Sequence, residues 1–466
     1  MSKLRLAPFL PLVLVPALAA VTPMLLPTSA QACGGTFCDA GPTSMPVDQT
    51  GENILFHIGD NTVEAHIQIQ IDPDTSAEQF AWVIPVMALP EFEVGSQPLF
   101  DALLNGSVPR YGRDFTTDTC PIQGAEESNG TGLTSFGSSA DEAGEEETGG
   151  DPSSEPEVVF QDTVGAFEIA VLDGGTVEGV MTWLGDNGYQ QDPAAEPILA
   201  EYLADEFLFV ALKLAVDTEV AEVHPIVIRY SGVEPCVPIR LTRIAAAEDM
   251  DIRVFFLDDA RVVPTNYRHV LVNPLKIDWF NDGANYKEVI SMAVDAQAAD
   301  GNAFVTEYAG PSDVVSLSNV VRPGWDSASY AALTDSPVGV IEELEADGLF
   351  YCDLEFDYIC EGQHPLIGPL LAEYVPVPVG VDPAMFYDCM ECYVDQIDLL
   401  VWSAAEFADK LDERIFQPGQ NAAALVNANP YLTRMYTTIS PAEMNDDPMF
   451  RANSTLPDVT NIRQAT

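Results

Sequence analysis

Asn53-Ile54-Leu55-Phe56-His57-Ile58-Gly59-Asp60-Asn61-Thr62-Val63-Glu64-Ala65-His66-Ile67-Gln68-Ile69-Gln70-Ile71 holds two strand-like runs around a turn cluster. Val63, Ala65, Ile67, Ile69 and Ile71 alternate with Glu64, His66, Gln68 and Gln70. Successive side chains of a strand point to opposite faces, so this period of two reads as a half-buried strand with a wet face. With Asn53–Ile58 before Gly59-Asp60-Asn61, the pair reads as a β-hairpin. His66 then shares a polar face with Glu64 and Gln68 and reads as a surface histidine.

Outward from the hairpin, Phe80-Ala81-Trp82-Val83-Ile84 is an apolar run ending at Pro85, consistent with a core strand. Ser96 caps an expected helix to Leu104, and Thr176 one to Asp186. Pro193–Ala204 reads as a helix, and Tyr286–Ala299 as an amphipathic helix with Val289, Ile290, Ala293 and Val294 on its apolar face. Strand-like runs cover Phe167–Leu172, Phe207–Ala215, Pro225–Tyr230, Ile239–Ile244, Ile252–Leu257 and His269–Val272. Pro383–Leu400, Ala404–Phe416 and Gln420–Tyr431 read as helices, and Ser440-Pro441-Ala442-Glu443 as a helix start. The expected fold is α+β: an antiparallel strand-rich core with packed helices and a helical C-terminal region, stabilised by disulfides.

The chain divides by composition. Residues 1–32 read as a signal peptide, with Lys3 and Arg5 before an apolar stretch and Ala30-Gln31-Ala32 as the cleavage pattern. Residues 33–121 are the N-terminal strand-rich part. Residues 122–157 hold ten acids and no base, and read as a disordered acidic insertion. Residues 158–345 continue the mixed core, 346–400 form a Cys-rich segment, and 401–466 a helical C-terminal segment. No later stretch reaches the roughly 20 apolar residues of a membrane-spanning helix. The expected address is therefore exported: periplasm, outer envelope or medium. Lipidation of Cys33 is the lesser alternative, because Gln31 suits a lipoprotein signal poorly.

Charge narrows the partners. The 466 residues carry 73 acids, 19 bases and 5 histidines, a net −54. Nucleic acid needs a basic surface and is excluded as a partner. Hydrophobic residues make up 47%, so the acidity does not imply disorder.

Cys33, Cys38, Cys120, Cys236, Cys352, Cys360, Cys389 and Cys392 are an even set in a chain marked for export, and all are disulfide candidates. A four-thiolate zinc site at Cys352, Cys360, Cys389 and Cys392 is the alternative, since Cys389 and Cys392 have ligand-pair spacing. Asp278-Trp279-Phe280-Asn281-Asp282-Gly283 resembles a calcium loop, but Phe280 stands where an oxygen ligand is needed, so a turn is the better reading. No cofactor is assigned.

No nucleophile elbow, phosphate loop, zincin motif or dinucleotide fingerprint occurs. His57, His66, His224, His269 and His364 are scattered, and no catalytic residue is assigned. Arg229, Arg240, Arg243, Arg253, Arg261 and Arg268 fall within the strand-rich middle and are expected to pair with carboxylates, an anion site being the lesser alternative.

Several phrases together resemble a known family. They are Cys33-Gly34-Gly35-Thr36-Phe37-Cys38, Pro46-Val47-Asp48-Gln49-Thr50-Gly51-Glu52, Phe80-Ala81-Trp82-Val83-Ile84-Pro85 and Leu241-Thr242-Arg243-Ile244-Ala245-Ala246. Tyr431-Leu432-Thr433-Arg434-Met435-Tyr436-Thr437-Thr438, Ser440-Pro441-Ala442-Glu443-Met444 and Asp447-Pro448 complete the set. The chain resembles the exported bacterial family known only as domain of unknown function 2330. The acidic insertion and the Cys352–Cys392 segment look like additions to it. The resemblance implies an exported bacterial protein and carries no activity, substrate or catalytic residue. Two functions remain: a non-enzymatic binding or structural protein of the envelope, and an extracellular hydrolase using carboxylates or a metal. The absent motifs and few histidines favour the first.

Overall fold

The computed structural model describes residues 49–59, 61–71, 81–113, 155–189, 192–215, 218, 220–232, 234–244, 246–353 and 359–465. Residues 1–32, expected as a signal peptide, Cys33, Cys38, Cys120 and residues 122–154 of the acidic stretch lie outside the described residues.

Two sheets organise the chain. The main sheet has eight strands: β1 (Gln49–Ile58), β2 (Thr62–Ile71), β4 (Glu91–Val94), β9 (Ile226–Ser231), β10 (Met250–Asp258), β12 (Arg268–Val270), β13 (Ala303–Pro311) and β16 (Tyr431–Ile439). Their spatial order is β12-β13-β16-β10-β1-β2-β9-β4. The second sheet is β3 (Ala81–Val86), β8 (Leu208–Leu214), β7 (Phe167–Asp173) and β6 (Glu157–Val164), in that spatial order. Its strands are all antiparallel. In the main sheet only β1–β10 and β12–β13 run parallel. The hairpin is β1–β2, with Ile54 opposite Ile67 and Phe56 opposite Ala65, and Gly59 N–H donates to Thr62 O at 2.8 Å across the turn.

Side-chain alternation then builds layers. Ile54 and Phe56 of β1, Val63, Ala65 and Ile67 of β2, and Ile252, Val254 and Phe256 of β10 face Trp82, Ile84, Phe167, Ile169, Val171, Val210 and Leu212 of the second sheet. This is sheet-on-sheet packing with one interdigitated core. Helices α2 (Val177–Asp186) and α3 (Glu196–Ala204) cover the far face of the second sheet through Val180, Leu184, Ile198 and Tyr202. Thr176 caps α2 as expected, its hydroxyl accepting from Gly179 N–H. Helices α1 (Gln97–Ser107), α5 (Tyr286–Val294) and α11 (Gln417–Ala428) cover the far face of the main sheet.

Burial of two of its polar side chains corrects the hairpin reading. The polar face of β2 is dry: His66 is 3% exposed and Gln68 is 7% exposed. Period two reports which residues share a face, not whether a helical layer will cover it. Buried polar groups need partners, and some here find them across strands, while Asn53 Oδ1 and His66 Nδ1 have none among the described residues. Asn53 Nδ2 donates to Gln68 Oε1 at 2.7 Å. Arg229 Nε donates to Glu64 Oε2 at 2.9 Å and its Nη1 to Glu93 Oε1 at 3.0 Å.

The segment 239–244, expected as a strand, is instead the short helix α4 (Ile239–Thr242). Asp447 decides this: Oδ1 accepts from Arg240 N–H at 3.0 Å and Oδ2 from Arg240 Nε at 3.1 Å. Tyr202 O–H donates to the same carboxylate at 2.8 Å. A partner two hundred residues away thus outweighs local strand propensity.

The C-terminal third has its own core, with Tyr330, Leu344, Phe350, Leu370, Phe386, Phe407 and Phe416 among its buried members. It is built from α6 (Ser327–Ala331), α7 (Val340–Ala346), α8 (Ile367–Tyr374), α9 (Pro383–Asp388) and α10 (Ala404–Leu411). The helix expected over 383–400 stops at Asp388, where Cys389 leaves helical geometry and a 3₁₀ stretch follows. Strands β14 (Phe350–Asp353) and β15 (Ile359–Gly362) pair Cys352 directly with Cys360, and these are disulfide-bonded, as are Cys389 and Cys392. The four cysteines are therefore two local disulfides rather than a thiolate cage. Cys236 pairs with no described cysteine. After α11 the chain returns to the main sheet as β16, between β13 and β10. Ser440 forms the expected capping box with Glu443, but only a single 3₁₀ turn follows. Short pairs β5 (Arg110–Arg113) with β18 (Ile462–Ala465), and β11 (Val262–Pro264) with β17 (Phe450–Ala452), complete the strands.

With a net charge of −54, self-repulsion opposes this compact state. Raising NaCl from about 0.05 M to about 1 M is expected to raise the melting temperature as screening shortens the Debye length. A melting temperature flat across that range in calorimetry would count against the charge argument.

Candidate functional site

The five histidines each engage neighbouring structure. His57 Nδ1 donates to Leu257 O at 3.2 Å, and His66 Nε2 lies 2.8 Å from Glu64 Oε1. Burial alone would raise Glu64, but His66 and Arg229 outweigh it and hold the carboxyl down at about 2. His224 is buried, and burial pushes it down to about 4; its Nε2 accepts from Ala166 N–H and its Nδ1 donates to Pro225 O. His269 Nε2 is 2.7 Å from Thr306 Oγ1. None of these four lines either of the two clefts described below.

The arginines behave largely as expected. Arg229, Arg240 and Arg253 form ion pairs with Glu64 and Glu93, with Asp447, and with Asp251. Arg261 instead reaches Pro457 O, Thr306 and His269, and neither Arg243 nor Arg268 is ion-paired with a described residue. The Asp278 loop is a turn: Asp278 accepts from Phe280 N–H, Asn281 N–H and Asn281 Nδ2. Among the described residues, no group of three or more His, Cys, Asp and Glu could hold a metal ion.

A polar cleft of about 420 Å³ lies where α1 meets the C-terminal helical core. Helix α1 is two-faced. Leu99, Phe100 and Leu103 pack on the main sheet, while Pro98, Asp101, Ala102 and Asn105, at helical spacing, line the cleft. The facing wall is Ser316, Ser318 and Asn319, then Arg322 and Trp325, with Gln363 and His364 at one end. Trp325 is fixed by stacking on Phe416 at 5.0 Å and by its Nε1–H donating to Asp347 O at 3.1 Å. Gly348 sits at φ +65°, and a Cβ there would occupy the space of the Arg322 guanidinium. Gly106 similarly lets the end of α1 close on Val314 O.

The electrostatics of this cleft are unusual for so acidic a chain. Arg110 and Arg322 both line it, are exposed, and have no ion pair with a described residue. Partial burial raises Asp101. Burial pushes His364 down to about 4, and its Nδ1 accepts from Leu366 N–H at 3.2 Å. The neutral ring therefore carries its proton on Nε2, as a donor. Two guanidinium groups, serine hydroxyls, amides and one indole make a recognition surface for a polar anion. They supply no activated nucleophile.

A second, apolar cleft opens between the two sheets. Ile54, Phe56, Ala65, Ile67, Trp82, Ile84, Val86 and Ile228 line it, with Met87, Phe207, Tyr230, Cys236 and Pro238. Glu52 also lines it, only 5% exposed, and burial pushes its carboxyl up to about 7. Sequence reading passed over Glu52, yet period two from Ile54 and Phe56 places it on the apolar face.

The polar cleft was likewise missed, because its walls come from four separated segments. Residues 98–110, 314–325, 348–349 and 363–365 carry no shared motif.

Fold and clefts together define an α+β double-sheet protein with one polar cleft of ligand size and one small apolar cleft. The chain belongs to the family described as an uncharacterized protein conserved in bacteria, domain of unknown function 2330, matched over residues 27–366. That range contains every residue lining both clefts, runs through the acidic stretch, and includes Cys352 and Cys360. The Tyr431–Thr438 and Ser440–Met444 phrases fall beyond it, as do Asp447-Pro448 and the Cys389–Cys392 disulfide. No curated protein and no solved structure matches the chain. No helix among the described residues is long and apolar enough to cross a membrane.

Proposed function

We propose that this is an exported, non-catalytic binding protein of the bacterial envelope, which captures a small polar ligand carrying an anionic group. The observation that carries this reading is the pair Arg110 and Arg322. In a chain with 73 acids and 19 bases, two arginines that form no ion pair with a described residue line one cleft, Asp347 being near enough to Arg322 to feel its charge. Leaving them unpaired beside so many carboxylates keeps two charge-assisted donors open to a ligand. Gly348, by making room for Arg322, and Trp325, as a fixed wall, support preorganisation. The disulfides Cys352–Cys360 and Cys389–Cys392, with the N-terminal signal pattern, support an oxidising compartment.

The test begins with the full chain expressed with its own leader. Protein recovered from periplasm or medium is expected to have a mass starting at Cys33. Calorimetric titration with inorganic phosphate and with a hexuronate is then expected to show binding of at least one. Replacing Arg110→Ala and Arg322→Ala together is expected to weaken that binding at least 30-fold, since each hydrogen bond to a charged group contributes about 1.5–3 kcal/mol. Unchanged affinity in the double variant, or no binding at millimolar probe, overturns the ligand assignment. A full-length cytoplasmic product overturns export.

A further inference from the structure

We propose that the polar cleft takes a sugar acid, a pyranose ring carrying a single carboxylate, rather than a bare oxyanion. This rests on the anion-binding reading of the cleft and narrows its ligand. Size is the first argument. The cleft holds about 420 Å³, within the roughly 300–1,000 Å³ of small-molecule sites. A water occupies about 30 Å³ in the liquid, so an oxyanion that displaces a few of them leaves most of the cleft wet.

The mixture of donors and acceptors is the second. Three carboxamides reach the cleft from three elements: Asn105 on α1, Asn319 in the 3₁₀ turn after Ser316, and Gln363 just after β15. The Gln363 main chain is tied down, its N–H donating to Leu349 O at 2.8 Å. None of the three amide groups is hydrogen-bonded to a described residue. Each carries two donors and an acceptor, which hydroxyls satisfy and an acceptor-only oxyanion does not. Ser316 Oγ and Ser318 Oγ lie 3.0 Å apart, so one hydrogen lies between them and one O–H is left to donate. Asp101, also on α1, lines the same space and accepts only when ionised. It suits a ligand hydroxyl and repels a polyanion.

The indole and the charges complete the pattern. Trp325 Nε1–H is engaged by Asp347 O at 3.1 Å, so the ring offers the cleft hydrocarbon, on which the C–H groups of a pyranose can pack. Arg110 and Arg322 suit a planar carboxylate, which a guanidinium holds through two parallel hydrogen bonds. A net −54 repels every further negative charge on the ligand, which favours a monoanion over doubly charged phosphate.

Titration calorimetry on the full exported chain at about pH 7.5 tests this with glucuronate, glucose, cyclohexanecarboxylate and inorganic phosphate. Glucose lacks the charge, cyclohexanecarboxylate keeps ring and charge without hydroxyls, and phosphate lacks the ring. Glucuronate is expected to bind at least tenfold tighter than each of the other three. Replacing the exposed amides together, Asn319→Ala with Gln363→Ala, should weaken glucuronate at least tenfold and leave cyclohexanecarboxylate within about twofold. Asp101→Ala should weaken glucuronate and tighten phosphate, opposite shifts that a general disturbance of α1 would not give. Cyclohexanecarboxylate as tight as glucuronate, phosphate tighter than glucuronate, or an unchanged Asn319 and Gln363 double variant each overturns the sugar assignment. In those cases a loss of affinity in the Arg110→Ala and Arg322→Ala variant keeps the anion reading, so the two failures are distinguishable. No binding of any anion by folded protein at millimolar concentration overturns both.

Discussion

Replacing Arg434→Met is expected to destabilise the protein by about 3–5 kcal/mol in urea unfolding at 25 °C, the range for stranding one half of a buried ion pair. Arg434 is 3% exposed and its partner Glu307 is 1% exposed. Arg434 Nε donates to Glu307 Oε2. Its Nη1 donates to Leu104 O at 3.1 Å and reaches Ser107 Oγ at 3.4 Å. One guanidinium thus ties β16 to β13 and to the last turn of α1, where the helix dipole favours a cation. Methionine fills much of the volume but leaves the Glu307 carboxylate buried without its charge partner. The double replacement Arg434→Met with Glu307→Leu is expected to recover most of the loss, because removing both charges removes the desolvation cost as well. A single variant within about 1 kcal/mol of the parent would show that water reaches the pair. Since α1 forms a wall of the polar cleft, Arg434→Met is also expected to weaken ligand capture there.

Glu52→Gln is expected to stabilise the protein at pH 8 by about 3 kcal/mol and at pH 5 by about 1 kcal/mol. The sign follows from the direction of the shift. Burial raises the folded pKa from 4.5 to about 7, so the folded state holds this proton more tightly than the unfolded state. Its stabilising contribution is complete below pH 4.5, falls as pH rises, and is lost above about 7. Glutamine keeps the shape and never ionises, so its advantage grows over the same interval. Urea unfolding of both proteins at pH 5 and pH 8 reads the difference directly. A constant difference across pH would mean that Glu52 is solvated in the folded state.

Much of the strand architecture was legible from local pattern. The β1–β2 hairpin followed from alternation and a turn cluster, and α2 from Thr176 as its cap. Glu52 was legible too, by counting back two and four residues from Ile54 and Phe56. These features depend on periodicity and on groups within a few residues, which sequence order preserves.

What the chain alone left open was decided by residues far apart in it. His66 and Gln68 alternate like surface groups, yet the folded chain buries both. Ile239–Thr242 became a helix because Asp447, carried in after β16, holds Arg240. The polar cleft exists because α1, the turn at Ser316, Trp325 and His364 converge from separated segments of the chain. Sequence by itself determined the acidity, the family phrases and the local strands and caps. Tertiary structure decided which faces are dry, which arginines stay unpaired and where ligands could enter, because long-range packing is set by topology rather than by neighbours along the chain.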